Sequence, residues 1–247
     1  MELSAANTLL PVVVLVGLAF EARIAAGEGV LVACRGTGRE LSRALQQALR
    51  EGCRSIISFG VAGGLAPDLR AGDVVVASAI RDSHTIRATD PIWSQRLLAT
   101  VPDIRHGLVI GVNSAVLDPR AKRELYLGTG AVAVDMESHL VARAAHAHNL
   151  AFAAVRVVVD PAHRAIPEGA LMAVGPAGDT EISPVLREII ARPSQLSAFV
   201  RIALDAYLAR SALLRVRRIV GPNFGFSELM DSTPCEKEGV EKSSPEP

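Results

Sequence analysis

The stretch SFGVAGGL, Ser58–Leu65, continues an apolar run and places glycines at Gly60, Gly63 and Gly64. The pattern predicts a buried strand that runs into a glycine-rich turn. Glycines at the end of a strand let a ligand approach backbone N–H groups that larger side chains would screen. A tight strand-to-loop connection explains the same residues without a ligand, so this segment by itself leaves both interpretations open.

Short apolar, β-branched runs recur along the chain, and several are apolar on both faces. Strands buried on both faces need helices on each side of the sheet. Amphipathic stretches at Glu40–Glu51 and Met136–His148 supply such helices. We therefore predict an α/β fold, a single three-layer domain in which helices flank a mixed central β-sheet. The predicted strands are Val12–Val16, Val30–Ala33, Ser55–Phe59, Val74–Ala77, Leu108–Val112, Ala131–Val134 and Ala153–Val159.

The catalytic domain is predicted to cover residues 1–222. A last amphipathic helix is expected from Gln195 to about Arg210. Periodicity is lost near Phe224, and residues 231–247 are rich in Glu, Lys, Ser and Pro. A segment with so few large apolar side chains does not build a core, so residues 223–247 are predicted to be a disordered tail.

Composition excludes several classes of function. Basic and acidic residues balance at 26 each, so no strong positive field favours nucleic acid. The 3 cysteines lack the spacing of a zinc site or a disulfide framework. The apolar run Leu9–Phe20 is shorter than the roughly 20 residues of a membrane-spanning helix, and no basic residue precedes it. Export is therefore not predicted, and we expect a cytoplasmic protein.

A second informative segment is AVAVDMES, Ala131–Ser138, where a buried strand gives way to two acids at a predicted helix start. Asp135 is expected to cap that helix. Glu137 lies near the carboxyl end of the strand, the zone in which open α/β sheets bind ligands. Its carboxylate can accept hydrogen bonds from neighbouring sugar hydroxyls.

The third segment is VRVVVDP, Val155–Pro161. Arg156 lies inside an apolar strand and needs an anion or a carbonyl as partner, because burying an unpaired guanidinium is costly. The partner is either a ligand or an acid of the core. Asp160 ends the strand, and it either takes part in a site or begins an Asp-Pro turn.

In their order and spacing, the three segments resemble the nucleoside phosphorylase and nucleosidase superfamily. FGVAGGL, followed by GDVVV at Gly72–Val76, is similar to that family's glycine-rich strand pair. AVDMES resembles its ribose-binding motif, and VRVVVD resembles its catalytic strand. The resemblance covers about residues 11–160. It implies an enzyme that cleaves the N-glycosidic bond of a purine nucleoside, and it also suggests a homo-oligomer.

Carried over residue by residue, the resemblance implies a catalytic set of Asp160, Glu137 and Glu21. Asp160 would protonate the departing adenine at N7, Glu137 would hold the ribose 2′- and 3′-hydroxyls, and Met136 would pack against the sugar. Such an acid is needed because adenine anion is a poor leaving group. Glu21 lies within one residue of the family's water-activating Glu, and a charge at a helix start explains it as well.

The sequence departs from the family pattern at Val61, where a hydroxyl residue is frequent, and at Val159, which replaces a Ser. If phosphate attacks the sugar, an anion site is needed, and the loop Cys34–Arg39 is the candidate. A capped helix start with solvated arginines explains that loop equally. The predicted nucleophile-binding residues are Gly36, Thr37, Gly38, Arg156, Gly60 and Val61, with Arg35 or Arg39 adding charge.

Further motifs resemble hopanoid-associated phosphorylases: VGLAFEARIA at Val16–Ala25, VDMESH at Val134–His139 and RPSQL at Arg192–Leu196. This resemblance implies phosphorolysis of adenosylhopane with release of adenine, with inorganic phosphate as co-substrate and no other cofactor. A hydrolytic 5′-methylthioadenosine/S-adenosylhomocysteine nucleosidase is the alternative. A non-catalytic nucleoside- or lipid-binding relative is a third possibility, against which the presence of both Glu137 and Asp160 argues.

A lipid-bearing substrate would require an apolar contact surface. The predicted helix Gln195–Arg210 carries an apolar stripe, and Arg215, Arg217 and Arg218 follow it. This combination fits either core packing or peripheral contact with an anionic membrane. The 6 histidines do not share a spacing that ligates metal, so no metal site is predicted.

Overall fold

A computed structural model of the chain describes residues 10–34, 38–83, 85–166 and 196–226. Within these ranges, eight strands form one mixed sheet. They are β1 Val12–Val16, β2 Val30–Cys34, β3 Ser55–Gly64, β4 Val74–Asp82, β5 Thr85–Ala88, β6 Ile104–Gly111, β7 Ala133–Asp135 and β8 Ala151–Asp160. The helices are α1 Ala19–Ala25, α2 Gly38–Glu51, α3 Pro91–Thr100, α4 Pro119–Thr129, α5 Ser138–His148 and α6 Leu196–Val220.

Five of the strands close into a ring of pairings. β3 pairs with β8, β8 with β4, β4 with β6, β6 with β7, and β7 returns to β3. β1 and β2 extend the sheet from β3, and β5 extends it from β4. β1 and β8 both pair with β3 in the parallel sense, so the carboxyl ends of these three strands lie at one edge of the sheet.

The core has two sides that follow the alternation of side chains along β1. Val12, Val14 and Val16 pack into a cluster that includes residues of α1, α3 and α6. Val13 and Leu15 point to the other side, where they pack with residues of α2 and α5. A strand that is buried on both faces thus lies between two helical layers, which confirms the predicted three-layer α/β fold.

The glycine-rich segment differs from its prediction. β3 continues through Gly60 and Gly63 to Gly64 instead of ending in a turn at Phe59. It keeps pairing with β8 up to Gly63 opposite Asp160, with a register shift between Ala62 and Gly63. The predicted turn is therefore wrong, and these glycines give a neighbouring side chain room beside an extended strand.

Two helices that periodicity did not reveal begin at Asp-Pro sequences. Asp90 accepts a hydrogen bond from the Trp93 N–H, and Asp118 accepts one from the Ala121 N–H. Each cap is followed by a Pro in the first turn, where the missing N–H has no cost. The second of these helices, α4, carries Lys122 to the site described below.

The last helix is longer than predicted, because α6 continues to Val220 instead of ending near Arg210. Arg217 therefore lies within the helix and turns inward: it donates to the Ala25 carbonyl and stacks over Phe224. This contact contradicts the idea that Arg217 is available to a membrane surface. None of the helices in the described ranges has the length and apolarity to cross a bilayer.

The boundary predicted for the disordered tail, at residue 223, lies too early in the chain. Pro222–Gly225 form a short 3-10 helix, in which the buried ring of Phe224 packs edge-on against Phe59, with 5.1 Å between ring centroids. Trp93 Nε1 donates to the Phe224 carbonyl at 2.8 Å. Residues 223–226 therefore belong to the domain, while residues 227–247 lie outside the described part of the chain.

Candidate active site

The residues predicted to be catalytic converge on the edge formed by the carboxyl ends of β1, β3 and β8. Glu21 follows β1 in the third position of α1, Glu137 precedes α5, and Asp160 ends β8. Parallel pairing of β1 and β8 with β3 brings Glu21 and Asp160 to the same edge. Glu137 reaches it from β7, which pairs with β3 in the antiparallel sense. Side-chain contacts then divide the edge into two parts, one around Arg156 and one around Lys122.

Glu21 is buried and fixed by backbone donors on both oxygens. Its Oε1 accepts the Val61 N–H at 2.7 Å, and its Oε2 accepts the N–H groups of Gly17 and Leu18 at 3.1 and 2.9 Å. Burial raises the pKa of this carboxyl, while the amide of Val61 and the charge of Arg156 oppose the rise. The two interpretations of Glu21 are thus compatible: it caps α1 and also faces the site.

Arg156 is fully buried and connects the strands of the site. Its Nε lies 2.5 Å from Asp135 Oδ2, and its Nη2 lies 3.4 Å from Glu137 Oε2. Nη2 also donates to Ser58 Oγ. Its partners are therefore acids and hydroxyls of the core. Nη1 is buried without a hydrogen-bond partner among the described residues, and this leaves one strong donor unused.

Asp135 has the capping role that the sequence predicts. Its Oδ1 accepts the N–H groups of Glu137 and Ser138 at 3.2 and 3.0 Å, at the start of α5. Its other oxygen accepts the Ser138 hydroxyl and pairs with Arg156. No pattern in the sequence indicates the part played by Ser138, whose hydroxyl lies between the two charges.

Glu137 is less buried than Asp135 and Arg156, and its pKa is strongly shifted. Burial raises its pKa to about 8; Arg156 lowers it, and Asp135 and Glu21 raise it. Three carboxylates share a single guanidinium here, so one of them keeps its proton near neutral pH. Met136, the predicted sugar contact, is half-buried next to Glu137.

Two glycines keep the carboxylates in place by leaving room for them. A Cβ at Gly60 would lie 2.5 Å from Glu21 Oε1 and 2.9 Å from Arg156 Nη1. A Cβ at Gly17 would lie 2.6 Å from Glu137 Oε1. The unused Nη1 of Arg156 therefore faces the same space as Glu21, directly over the backbone of Gly60.

Asp160 lies further along the same edge. A Cβ at Gly63 would be 3.2 Å from Asp160 Oδ2. Since a strand rises about 3.3 Å per residue, Gly60 and Gly63 are roughly 10 Å apart, which leaves room for a sugar and a base between the two parts of the site. Burial raises the pKa of Asp160, and a contact with Lys122 opposes that rise.

The residues of the predicted phosphate loop divide between described and undescribed positions. Gly36 and Thr37, together with Arg35, lie outside the described residues. Gly38 begins α2 with a left-handed φ of 66°, and Arg39 is exposed. Val61 contributes its backbone N–H to Glu21, while its side chain packs on the apolar core.

One histidine, His139, follows Ser138 in α5. It is buried, and its Nδ1 has no hydrogen-bond partner in the described ranges. Burial and the charge of Arg143 lower the pKa of His139. Among the described residues, no group of three metal-ligating side chains comes together.

Comparisons with known proteins show which family the chain resembles. The phosphorylase superfamily profile matches residues 10–191. A 5′-methylthioadenosine/S-adenosylhomocysteine nucleosidase of Shewanella pealeana is 28% identical over 177 residues, which is 61% of this chain and 76% of the relative. The corresponding protein of Shewanella piezotolerans is 28% identical over 173 residues, 60% of this chain and 75% of the relative.

Solved structures share the fold. A Helicobacter pylori nucleosidase mutant with 5′-methylthioadenosine in the active site has a TM-score of 0.59 at 16% identity, covering 84% of this chain and 97% of its own. An S. pneumoniae nucleosidase with a transition-state inhibitor has a TM-score of 0.58 at 16% identity, covering 86% of this chain and 100% of its own. At this identity the likeness concerns the fold.

Proposed function

We propose, from the premise that this chain belongs to the phosphorylase superfamily, that it hydrolyses the N-glycosidic bond of a 5′-substituted adenosine and releases adenine. The substrates named for the curated relatives, 5′-methylthioadenosine and S-adenosylhomocysteine, define the substrate class. Glu21, Glu137 and Asp160 carry the chemistry in this proposal.

The observation that carries the choice of water is the unused Nη1 of Arg156 beside Glu21. In this proposal, the attacking water enters between these two groups, accepts a hydrogen bond from the guanidinium and donates one to the carboxylate. A phosphate ion needs a cationic partner whose charge is not already matched. Among the described residues, Arg156 is the cation in contact with these acids, so its charge is already matched.

The reaction balances with these residues. The bonding pair of C1′–N9 leaves with adenine, and Asp160 gives its proton to N7, so the base departs neutral. Positive charge develops on the sugar, near the carboxylate of Glu137. Water adds to C1′ and loses a proton to Glu21. The products are adenine and the 5′-substituted ribose, and the proton held by Glu21 returns to Asp160 through solvent.

Glu137 is the ribose contact in this scheme. Its carboxylate accepts hydrogen bonds from the 2′- and 3′-hydroxyls, while Arg156 contacts its Oε2 atom. A site built around such contacts discriminates against substrates that lack the hydroxyls, because its buried acceptor is then left unpaired. The 2′- and 3′-deoxy analogues should accordingly be poor substrates.

The test measures adenine release from 5′-methylthioadenosine with and without inorganic phosphate. We expect the same rate in phosphate-free buffer, with 5-methylthioribose as the product. A requirement for phosphate, with a sugar 1-phosphate as product, would overturn the hydrolytic proposal. Inosine serves as a control for the base, and S-adenosylhomocysteine as a second 5′-substituent.

Phosphorolysis of a hopane-bearing adenosine remains a second candidate because of one observation on α6. Leu196, Val200, Leu204, Tyr207 and Leu208 are exposed along one side of this helix, opposite its buried residues. Such a surface suits an apolar 5′-substituent or a membrane on which that substrate is held. Adenosylhopane, assayed in parallel with and without phosphate, distinguishes this candidate from the first.

A further inference from the structure

Lys122 is the buried residue of a helix whose other side chains are at least partly exposed. Its side chain is 0% accessible, although α4 is polar and lies at the surface. Nζ lies 2.5 Å from Asp160 Oδ2. It also reaches the carbonyls of Asp160, Pro161 and Arg164 at 3.3, 3.2 and 3.0 Å. Within the described residues, the hydrogen bonds of its ammonium group therefore go to Asp160 and the turn that follows it.

Burying a lysine is costly unless its charge is matched. An ammonium group has three donors, and here the carboxylate and the carbonyls of the turn accept them. Asp160 is the acid that pairs with Lys122 in the described structure. A buried cation in contact with a proton donor changes the pKa of that donor, and therefore how readily it gives up its proton.

We propose that Lys122 is a positioning residue for proton transfer to the departing base. It holds Oδ2 of Asp160, so that Oδ1 presents the proton, and its fixed charge stabilises the carboxylate that remains after transfer. The inference rests on the proposed role of Asp160 as the acid. Lys122 itself keeps its proton throughout, and the proton that reaches N7 comes from Asp160.

The charged groups that face Asp160 act in opposite directions. Burial raises the pKa of Asp160, Lys122 of α4 lowers it, and Asp205 of α6 raises it. Asp205 is itself paired with Arg164, with 2.9 Å between Oδ2 and Nε. Loss of Lys122 would leave burial unopposed and raise the pKa further, whereas loss of the Asp205 charge would lower it.

The opposite effects of Lys122 and Asp205 on the pKa of Asp160 define the experiment. An acid must be protonated to act, so activity falls as pH rises through the pKa of Asp160. In Lys122→Met the alkaline limb of the kcat profile on 5′-methylthioadenosine should move up by about 1 pH unit or more. At the optimum, kcat should fall roughly 10-fold because Asp160 is then a weaker and less fixed acid. In Asp205→Asn the alkaline limb should move down.

A purely structural role for Lys122 would lower activity without moving the limb. If Lys122→Met keeps the wild-type limb, the proposal is overturned. Lys122→Gln provides a second neutral variant that retains a donor for the carbonyls, in case the Met variant does not fold. In an Asp160→Asn background, Lys122→Met should have no further effect on kcat, and an additional loss of the same size would also count against the proposal.

A readout that does not depend on activity separates this inference from the proposed function. The side-chain ¹³C signal of Asp160, assigned by its loss in Asp160→Asn, reports the titration of this carboxyl directly. Its midpoint should rise in Lys122→Met, and an unchanged midpoint would overturn the pairing. If the wild-type protein shows this coupling but releases no base from any adenosine, the proposed function fails while the Lys122–Asp160 pair stands.

Discussion

Glu21 and Asp160 are both buried carboxyl groups with raised pKa values, but their surroundings differ in kind. Glu21 is held by backbone N–H groups at both oxygens and shares Arg156 with two other acids. The side chain of Asp160 is held instead by the buried ammonium of Lys122. Both kinds of partner favour the ionised carboxylate, but amide dipoles are neutral, whereas Lys122 brings a full charge that one substitution removes. The two parts of the site therefore respond to different substitutions, and the proposed roles of Glu21 as base and Asp160 as acid can be tested separately.

The largest expected effect separates these two roles. Asp160→Asn should lower adenine release from 5′-methylthioadenosine by at least about 10²-fold, because the amide cannot supply the proton. A riboside with a 4-nitrophenolate leaving group needs no protonation, so its hydrolysis should be nearly unaffected. Glu21→Gln should slow both substrates, since each needs an activated water. Steady-state rates for two variants and two substrates measure the contrast.

The assignment would be wrong if the two variants behaved alike. Equal losses on both substrates in Asp160→Asn would mean that Asp160 does not act on the leaving group. Selective loss on the adenosine alone in Glu21→Gln would exchange the roles of the two acids. Circular dichroism of each variant controls for folding.

A smaller effect is expected from filling the space between Glu21 and Arg156. In Gly60→Ala the added Cβ would overlap Glu21 Oε1 and Arg156 Nη1, so both must shift, and kcat should fall about 10-fold. Gly128→Ala, in α4, is the matched control, because a Cβ added there has no neighbouring side chain or backbone within 4 Å. Alanine at that helical position should leave activity unchanged and stabilise the protein by up to about 1 kcal/mol. Wild-type kcat in Gly60→Ala would show that this space is not where the nucleophile is activated.

The smallest effect concerns stability and tests how the acids share Arg156. The pKa of Glu137 is raised from 4.5 to about 8, so between these values the folded protein holds a proton that the unfolded chain has lost. The free energy of unfolding should therefore fall as pH rises through this window. Gln has no proton to lose, so Glu137→Gln should show a shallower fall. Urea unfolding at several pH values measures the slopes, and identical slopes would remove Glu137 as the shared acid.

The sequence indicates candidate site residues most clearly at the ends of its predicted strands. Glu137 and Asp160 both follow apolar runs, and the carboxyl end of a strand is where open α/β sheets bind ligands. Their convergence also needs the antiparallel pairing of β7 with β3, which the local sequence does not reveal. By contrast, Ser58 and Ser138 resemble ordinary core hydroxyls in the sequence, and their contacts with Arg156 depend on strand register. Register is a property of the assembled sheet, which local sequence does not reveal.

By itself, the sequence determined the layers of the fold, because strands with two apolar faces must lie between helices, and it indicated which acids to propose for the site. The tertiary structure decided three other matters. It extended β3 through the glycines, since pairing with β8 continues to Asp160. It placed Phe224 in the core, where a segment without periodicity still buries one ring. It also brought Lys122 from a polar, exposed helix to the carboxylate of Asp160, because that contact joins residues 38 positions apart and leaves no periodic signal in either segment.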